Sequence, residues 1–162
     1  MILADNITIP RSLQNSIDRD TLTISDHLLL AVAGFAAQLF PTAEVYIGAQ
    51  QQEVNLPAVF VDYYSLTSQK RLTDMSEYRF GLDVTYVPEN PLNRHELQDA
   101  VFRIQQSLNS LQSPIGLFVC YSKDSDTTDD LAHVTGIVSV WEQTSPNGEI
   151  IQQADQTIKP KE

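Results

Sequence analysis

Hydrophobic and polar residues alternate almost without fault between residues 76 and 86. One side of this segment carries Tyr78, Phe80, Leu82, Val84 and Tyr86. An alternation with a period of two predicts a β-strand that buries one of its faces. The preceding apolar segment, residues 58 to 66, is β-branched and aromatic at both alternating sets of positions. That composition is typical of a strand covered on both faces.

These two strands predict an antiparallel hairpin, because only the polar stretch TSQKRLTDMSE separates them. The second strand continues to Val87 and is ended by Pro88 and Pro91. Each strand spans roughly 30 Å at ~3.3 Å per residue. We therefore expect the polar tip of the hairpin to project beyond a core that only two helices cover.

Two amphipathic helices are predicted, one on each side of the hairpin in the sequence. The first begins after Ser25 as N-cap, carries apolar residues at spacings of three and four, and ends before Pro41. The second begins after Asn93, with Glu96 three residues further on. Its apolar stripe consists of Leu97, Val101, Ile104, Leu108 and Leu111.

Three further short segments read as strands, at residues 44 to 47, 115 to 121 and 132 to 141. The last two flank the acidic turn SKDSDTTDD and predict a second hairpin. The expected fold class is α+β. It comprises a mostly antiparallel sheet of about five strands, two helices packed on one face and a long projecting β-hairpin.

The chain of 162 residues is expected to form a single α+β domain over residues 23–142. Residues 1–22 are polar and show no helical or strand period, so they are predicted to be an N-terminal arm outside the core. Residues 143–162 are predicted to be a polar C-terminal tail. We expect no membrane crossing and no secretory signal, because no apolar run approaches ~20 residues and no cationic leader begins the chain.

Charge excludes one class of function. The formal net charge is −11, with only ten Lys and Arg residues. Duplex binding depends on cations that neutralise phosphates, so we expect no specific nucleic-acid binding. An acidic surface can nevertheless serve as one past which DNA slides without adhering.

No residue is predicted to be catalytic or to bind a cofactor or a metal. His27, His95 and His133 are scattered and lack neighbouring ligands at metal-binding spacing. The single cysteine, Cys120, is expected in the core. The acidic turn resembles a calcium loop, but Asp129 stands where the glycine belongs and Thr135 where the bidentate Glu belongs. No nucleophile elbow or phosphate-binding glycine loop is present.

The sequence predicts a spare apolar surface on the first long strand. Either Val59, Val61 and Tyr63 or Phe60, Tyr64 and Leu66 must face away from the helices, and a slip of one residue exchanges the two sets. The patch is expected to meet another chain, or else to be covered by the N-terminal arm. The basic residues Lys70, Arg71 and Arg79 cluster in the hairpin and are expected to contact a neighbour's acidic face, unless they form only a solubilising turn.

Several short motifs together resemble the family of phage tail terminator, or tail completion, proteins. They are "LFP", "VYIG", "QQQ", "LPAVFVDYY", "SQKR" and "YRFGLDVTYVP", and they span about residues 25 to 111. The family is found in long-tailed phages and prophage-like elements of Gram-positive bacteria. The arm before the first helix is longer than the family implies, and the chain beyond Leu111 is not matched.

The resemblance implies a structural virion assembly protein, not an enzyme. It implies a homo-hexameric ring that caps the tail tube, ends tail polymerisation and provides the surface to which the head docks. Its partners would be its own copies, the tail tube protein and, as candidates, sheath and head-completion proteins. It would be assembled in the host cytoplasm and reside at the head-proximal end of the virion tail. The residues carried over to a subunit or tube interface are Ser68, Gln69, Lys70, Arg71, Tyr78 and Arg79.

Two other functions remain open from the sequence. The chain could be a head-to-tail connector or neck subunit of the same particle. It could also be a small hydrolase or ligand-binding domain, which a deep pocket with a raised carboxylate pKa would support.

Overall fold

The computed structural model describes residues 3–48, 53–144 and 150–153. Three helices are present there: α1 (Arg11–Asp18), α2 (Ile24–Leu39) and α3 (Arg94–Ser107). The strands are β1 (Ile7–Thr8), β2 (Glu44–Ile47), β3 (Ala58–Leu72), β4 (Met75–Val87), β5 (Ser110–Ser113), β6 (Gly116–Thr128), β7 (Leu131–Thr144) and β8 (Ile150–Gln153).

Seven strands form one mixed sheet in the order β1-β2-β3-β4-β7-β6-β5, and β8 pairs with β7. The β1–β2 and β2–β3 pairs are parallel, and the remaining pairs are antiparallel. The sheet curls into a half-barrel. The predicted fold class, a sheet of about five antiparallel strands with two helices, is therefore wrong. It missed β1, β5, β8 and α1, whose few residues show too little periodicity to be read locally.

Helix boundaries follow local capping chemistry. Thr23, not Ser25, is the N-cap of α2: its hydroxyl accepts from the Asp26 amide, and the Asp26 carboxylate accepts from the Thr23 amide. This capping box satisfies two amides that the first turn leaves free. At α3 the predicted cap is present, because Asn93 Oδ1 accepts from the Glu96 amide at 3.1 Å.

The long hairpin is present but longer than predicted. β3 extends to Leu72 and β4 begins at Met75, so most of the supposed polar tip lies in strands. β4 also pairs with β7 from Met75 to Tyr86, and β7 pairs in turn with β8. The predicted two-stranded projection is therefore wrong. The end of the hairpin belongs to a four-stranded part of the sheet, hereafter the blade, formed by β3, β4, β7 and β8.

The second hairpin is extended in the same way. β6 continues through the stretch predicted as an acidic turn, and only Asp129 and Asp130 connect it to β7. Both have positive φ, 53° and 59°. Two positive φ values are what a type I′ hairpin turn requires, and Asp tolerates that conformation better than most residues do.

The described part of the N-terminal segment is not an arm without structure. Residues 3–22 contribute β1, which pairs with β2, and α1, whose Leu13 is buried in the core. At the other end, β8 lies within the stretch predicted as a tail.

The core lies between the helices and one face of the sheet. Side chains from α2 and α3, such as Leu28, Leu97 and Ile104, pack in one cluster with Val59 and Val84. This register shows which set on β3 the helices cover: Val59, Val61 and Tyr63 face the core. No helix among the described residues is long and apolar enough to span a membrane.

Candidate functional site

The predicted interface residues Ser68, Gln69, Lys70 and Arg71 all lie on the outer half of β3 and are exposed. β2 covers β3 only over Ala58–Val61. Within the described ranges, the other edge of β3 beyond those residues has no strand beside it. The structure therefore places these four side chains along an open sheet edge.

Arg71 and Arg79 are brought together by a glutamate that the sequence analysis did not single out. Both guanidinium groups donate from Nη2 to Glu77 Oε1, at 3.2 Å each. Glu77 is only 7% exposed, which is rare for a carboxylate without a counter-charge. A bulge between Lys70 and Leu72 leaves Arg71 as an extra residue opposite β4.

Tyr78 faces the opposite side of the sheet from Arg79, since neighbouring residues of a strand alternate. Its hydroxyl donates to Glu142 Oε1 at 3.1 Å. Burial raises the pKa of Tyr78, and the hydrogen bond to Glu142 adds to the rise. Tyr78, Leu66 and Glu142 line an open pocket beside the start of α2. The six predicted interface residues thus divide between two faces of one blade.

The sheet face opposite the helices carries a row of carboxylates. In the ladder, Asp62 lies opposite Asp83, Asp83 opposite Thr135, and Thr135 opposite Asp124. Asp126 lies in the neighbouring row, opposite His133. These four aspartates, hereafter the acidic face, come from three strands, so no local pattern indicates that they are neighbours.

One cluster on the acidic face looks like a catalytic arrangement but is not connected as one. Thr85 Oγ1 lies 2.9 Å from His133 Nδ1, and the same Nδ1 lies 3.5 Å from Asp83 Oδ1. In a nucleophile–base–carboxylate relay the nucleophile and the carboxylate contact opposite nitrogens of the imidazole. Here both contact one nitrogen, so the geometry does not build a base that activates Thr85.

The acidic residues also do not form a metal site in the described part of the chain. No group of three or more His, Cys, Asp or Glu residues is arranged there to hold a metal ion. Asp126 accepts from the Thr128 hydroxyl, and Asp124 accepts from the amide of Ser125. The similarity to a calcium loop therefore reflects a hairpin of acidic strands.

The spare apolar set is Phe60 and Tyr64. Phe60 stacks on Tyr46 with ring centroids 5.3 Å apart. Tyr64 is 60% exposed and lies over Gly81, where a larger side chain would overlap its ring. Leu66 belongs to the core side instead, because Tyr64 is an extra residue at a bulge and reverses the alternation.

Comparison with known proteins identifies one family. A family model described as phage tail terminator protein matches residues 24–148. The match begins at α2 and extends past the end of β7, so it includes the long hairpin and the acidic face. No curated protein matches the chain.

Proposed function

Because this chain belongs to the phage tail terminator family, a structural family of phage tail assembly, we propose that it forms a homo-hexameric ring on the head-proximal end of the tail tube. The ring ends tube polymerisation and presents its far side to the head. The tube protein and other copies of the chain are its partners. The observation that carries this proposal is the family match, which takes in the sheet from β2 to β7.

The distribution of charge supports a ring through which DNA passes. Four aspartates lie on the sheet face that the described helices leave uncovered. If that face lines the lumen, each subunit repels the phosphate backbone and DNA passes without adhering. The helices then face outward.

The blade supports contact with the tube. Its outer end combines the Arg71–Glu77–Arg79 cluster on one face with Tyr78 and Leu66 on the other. A surface with both charged and apolar groups is typical of specific protein contacts. We assign the predicted interface residues of the blade to contacts with the tube or with neighbouring subunits.

The direct test combines the purified protein with tail tubes assembled in its absence. Electron microscopy should show six-subunit rings at one end of each tube, and tubes grown with the protein should stop lengthening. Rings that bind tail-less heads but not tubes would contradict the proposal and indicate a connector subunit instead. A protein that stays monomeric with tubes present would also contradict it.

The lumen assignment has its own test. A variant with Asp62→Lys and Asp83→Lys, both on the acidic face but outside the open strand edges, should form rings that retain double-stranded DNA in a gel-shift assay at low salt. The matched control carries Glu89→Lys and Asp99→Lys, exposed positions away from the acidic face, and changes net charge equally. Equal retention by both variants would show that the acidic face does not line the passage.

A further inference from the structure

Two stretches of strand backbone are open at opposite ends of the sheet. The first, hereafter the basic edge, is Ser65–Leu72 of β3, beyond the part that β2 covers. The second, hereafter the acidic edge, is Asp124–Thr128 of β6, beyond the part that β5 covers. In the described part of the chain, each has a strand on one side only. Unpaired edges of this kind are templates for another strand.

The two edges have opposite charge. The basic edge contains Lys70 and Arg71 and no acid. The acidic edge contains Asp124 and Asp126 and no cation, and Asp129 and Asp130 follow it directly. Pairing an edge with a second copy of itself would bring like charges together, which is unfavourable across strands. Pairing the basic edge of one copy with the acidic edge of another brings opposite charges together.

Strand direction fits the same pairing. β3 is antiparallel to β4, β4 to β7, and β7 to β6, so β3 and β6 point in opposite directions. Rotation about an axis along the strands preserves these directions. The acidic edge of one copy therefore meets the basic edge of the next in an antiparallel ladder, whose hydrogen bonds are the more stable kind.

The two edges are offset along the strands. Asp126 pairs with His133 of β7. Ser68 pairs with Tyr78 of β4, which in turn pairs with Val140 of β7. The difference from 133 to 140 corresponds to about 23 Å at ~3.3 Å per residue. Closed sheets require such a stagger, because their strands tilt against the ring axis. β2 and β5 cover the other halves of β3 and β6. The offset separates β2 of one subunit from β5 of its neighbour along the strands, so the two do not clash.

We propose that the basic edge of each subunit pairs with the acidic edge of its neighbour, so that the sheets of all subunits join into one continuous closed sheet. This rests on the proposed ring. The contact is heterologous, since it joins two different surfaces, and a heterologous contact closes into a ring when its rotation is a whole fraction of a turn. It also covers Leu66 and Leu72, which are 46% and 62% exposed in the single subunit.

Disulfide cross-linking tests the pairing. Gln69 and Asp126 lie on the helix-free face of their strands, and opposed residues of antiparallel strands have Cβ atoms close enough to bridge. A variant with Gln69→Cys and Asp126→Cys should give a ladder of linked subunits up to the full ring under mild oxidation. Thr67→Cys with Asp126→Cys tests the register two residues away.

The variants with one introduced cysteine are the controls, and all of them keep the buried Cys120. Neither Gln69→Cys nor Asp126→Cys alone should cross-link. The basic edge of one copy faces the acidic edge of the next, so two copies of the same introduced cysteine do not meet. A dimer formed by Gln69→Cys alone would overturn the proposal in favour of symmetric pairing between two basic edges. Gln69→Cys with Asp99→Cys, the latter exposed on α3, controls for random collision.

Hydrogen exchange gives a second readout on the unmodified protein. In assembled rings the outward amides of Ser65–Leu72 and Asp124–Thr128 should exchange at least tenfold more slowly than in dilute monomer. Tube-capping rings that leave both segments unprotected and give no double-cysteine ladder would overturn the edge pairing while sparing the proposed function. Cross-linked ladders without rings on tubes would support the edge pairing and contradict the proposed function. Protection of either segment in the monomer would show that the chain covers its own edge.

Discussion

At the scale of single residues, Gly136 shows how closely β6 and β7 approach. A Cβ at this position would overlap the sulfur of Cys120, which is buried. Gly34, on α2, has no neighbour within 4 Å of such an atom. Two glycines of one chain therefore have opposite tolerance for a methyl group.

We predict that Gly136→Ala lowers the free energy of unfolding by about 1 to 3 kcal/mol, because overpacking forces neighbours to shift. Gly34→Ala should instead raise it by about 0.5 to 1 kcal/mol, since alanine favours the helix. Urea denaturation measures both. Adding Cys120→Ala to Gly136→Ala should recover part of the loss. Simple additivity of the two single changes would refute the overlap.

Cys120 also predicts a dependence on pH. Burial raises the pKa of its thiol to about 11, although Lys123 nearby opposes the rise. The unfolded thiol ionises first as pH increases, so stability is full below pH ~8 and declines between roughly pH 9 and 11.

The stability advantage of the wild-type chain over Cys120→Ala should therefore shrink by about 1 kcal/mol between pH 8 and pH 10. Denaturation curves at several pH values measure this difference. Contributions from other groups, including Tyr86, whose pKa is raised by burial and by Glu96, occur in both proteins and cancel. A difference that stays constant with pH would contradict a buried thiol.

At the scale of elements, capping decides where α2 begins. The Thr23 hydroxyl accepts from the Asp26 amide at 3.2 Å, and the Asp26 carboxylate accepts from the Thr23 amide at 2.9 Å. The helix has only one acidic side chain in its first turn, Asp26, and no basic one in its last. Its start therefore depends strongly on this box.

Thr23→Ala should destabilise the protein by about 1 kcal/mol, whereas Thr23→Ser should cost much less because serine keeps the capping oxygen. Thermal unfolding followed by circular dichroism compares the two. Ser25→Ala should also be nearly neutral, since Ser25 contacts only the Thr23 hydroxyl in the described hydrogen bonds. A larger effect at Ser25 than at Thr23 would show that Ser25, as predicted from the sequence, is the N-cap of α2.

The bulges of β3 show how an element can change the role of its residues. Extra residues at Tyr64 and Arg71 each reverse the alternation of the strand. As a result Leu66 faces the core side, and Arg71 reaches the buried Glu77. A strict period of two would have assigned both side chains to the wrong face.

At the scale of the whole molecule, part of the net charge of −11 lies where it opposes folding. Asp62 and Asp83 lie directly opposite each other on neighbouring strands. Directly opposed like charges destabilise a sheet. A stability cost retained on one face is consistent with a role for that face in the assembled particle.

Asp62→Asn should raise the free energy of unfolding by a few tenths of a kcal/mol at low ionic strength, and the gain should shrink as salt screens the pair. The control Glu89→Gln changes net charge equally, at an exposed position in the loop before α3, and should have little effect. Urea denaturation at 10 mM and 500 mM salt would measure both. Equal gains from the two variants would attribute the effect to net charge instead of the opposed pair.

The sequence by itself determined the features that depend on near neighbours. It located β2, the start of α3 at Asn93 and the buried face of β4, because caps and alternation act over a few residues. Six motifs also sufficed to indicate the family that residues 24–148 match.

Only the tertiary structure decided the strand order, the placement of β1, α1 and β5, and the neighbours of each charge. Glu77 joins two arginines, and four aspartates share one face, because ladders bring together residues that are far apart in the chain. β1 and β5 carry too little pattern to be recognised alone and exist because a partner strand supplies their hydrogen bonds. The same long-range pairing decides which edges remain open, and those edges are absent from any local pattern.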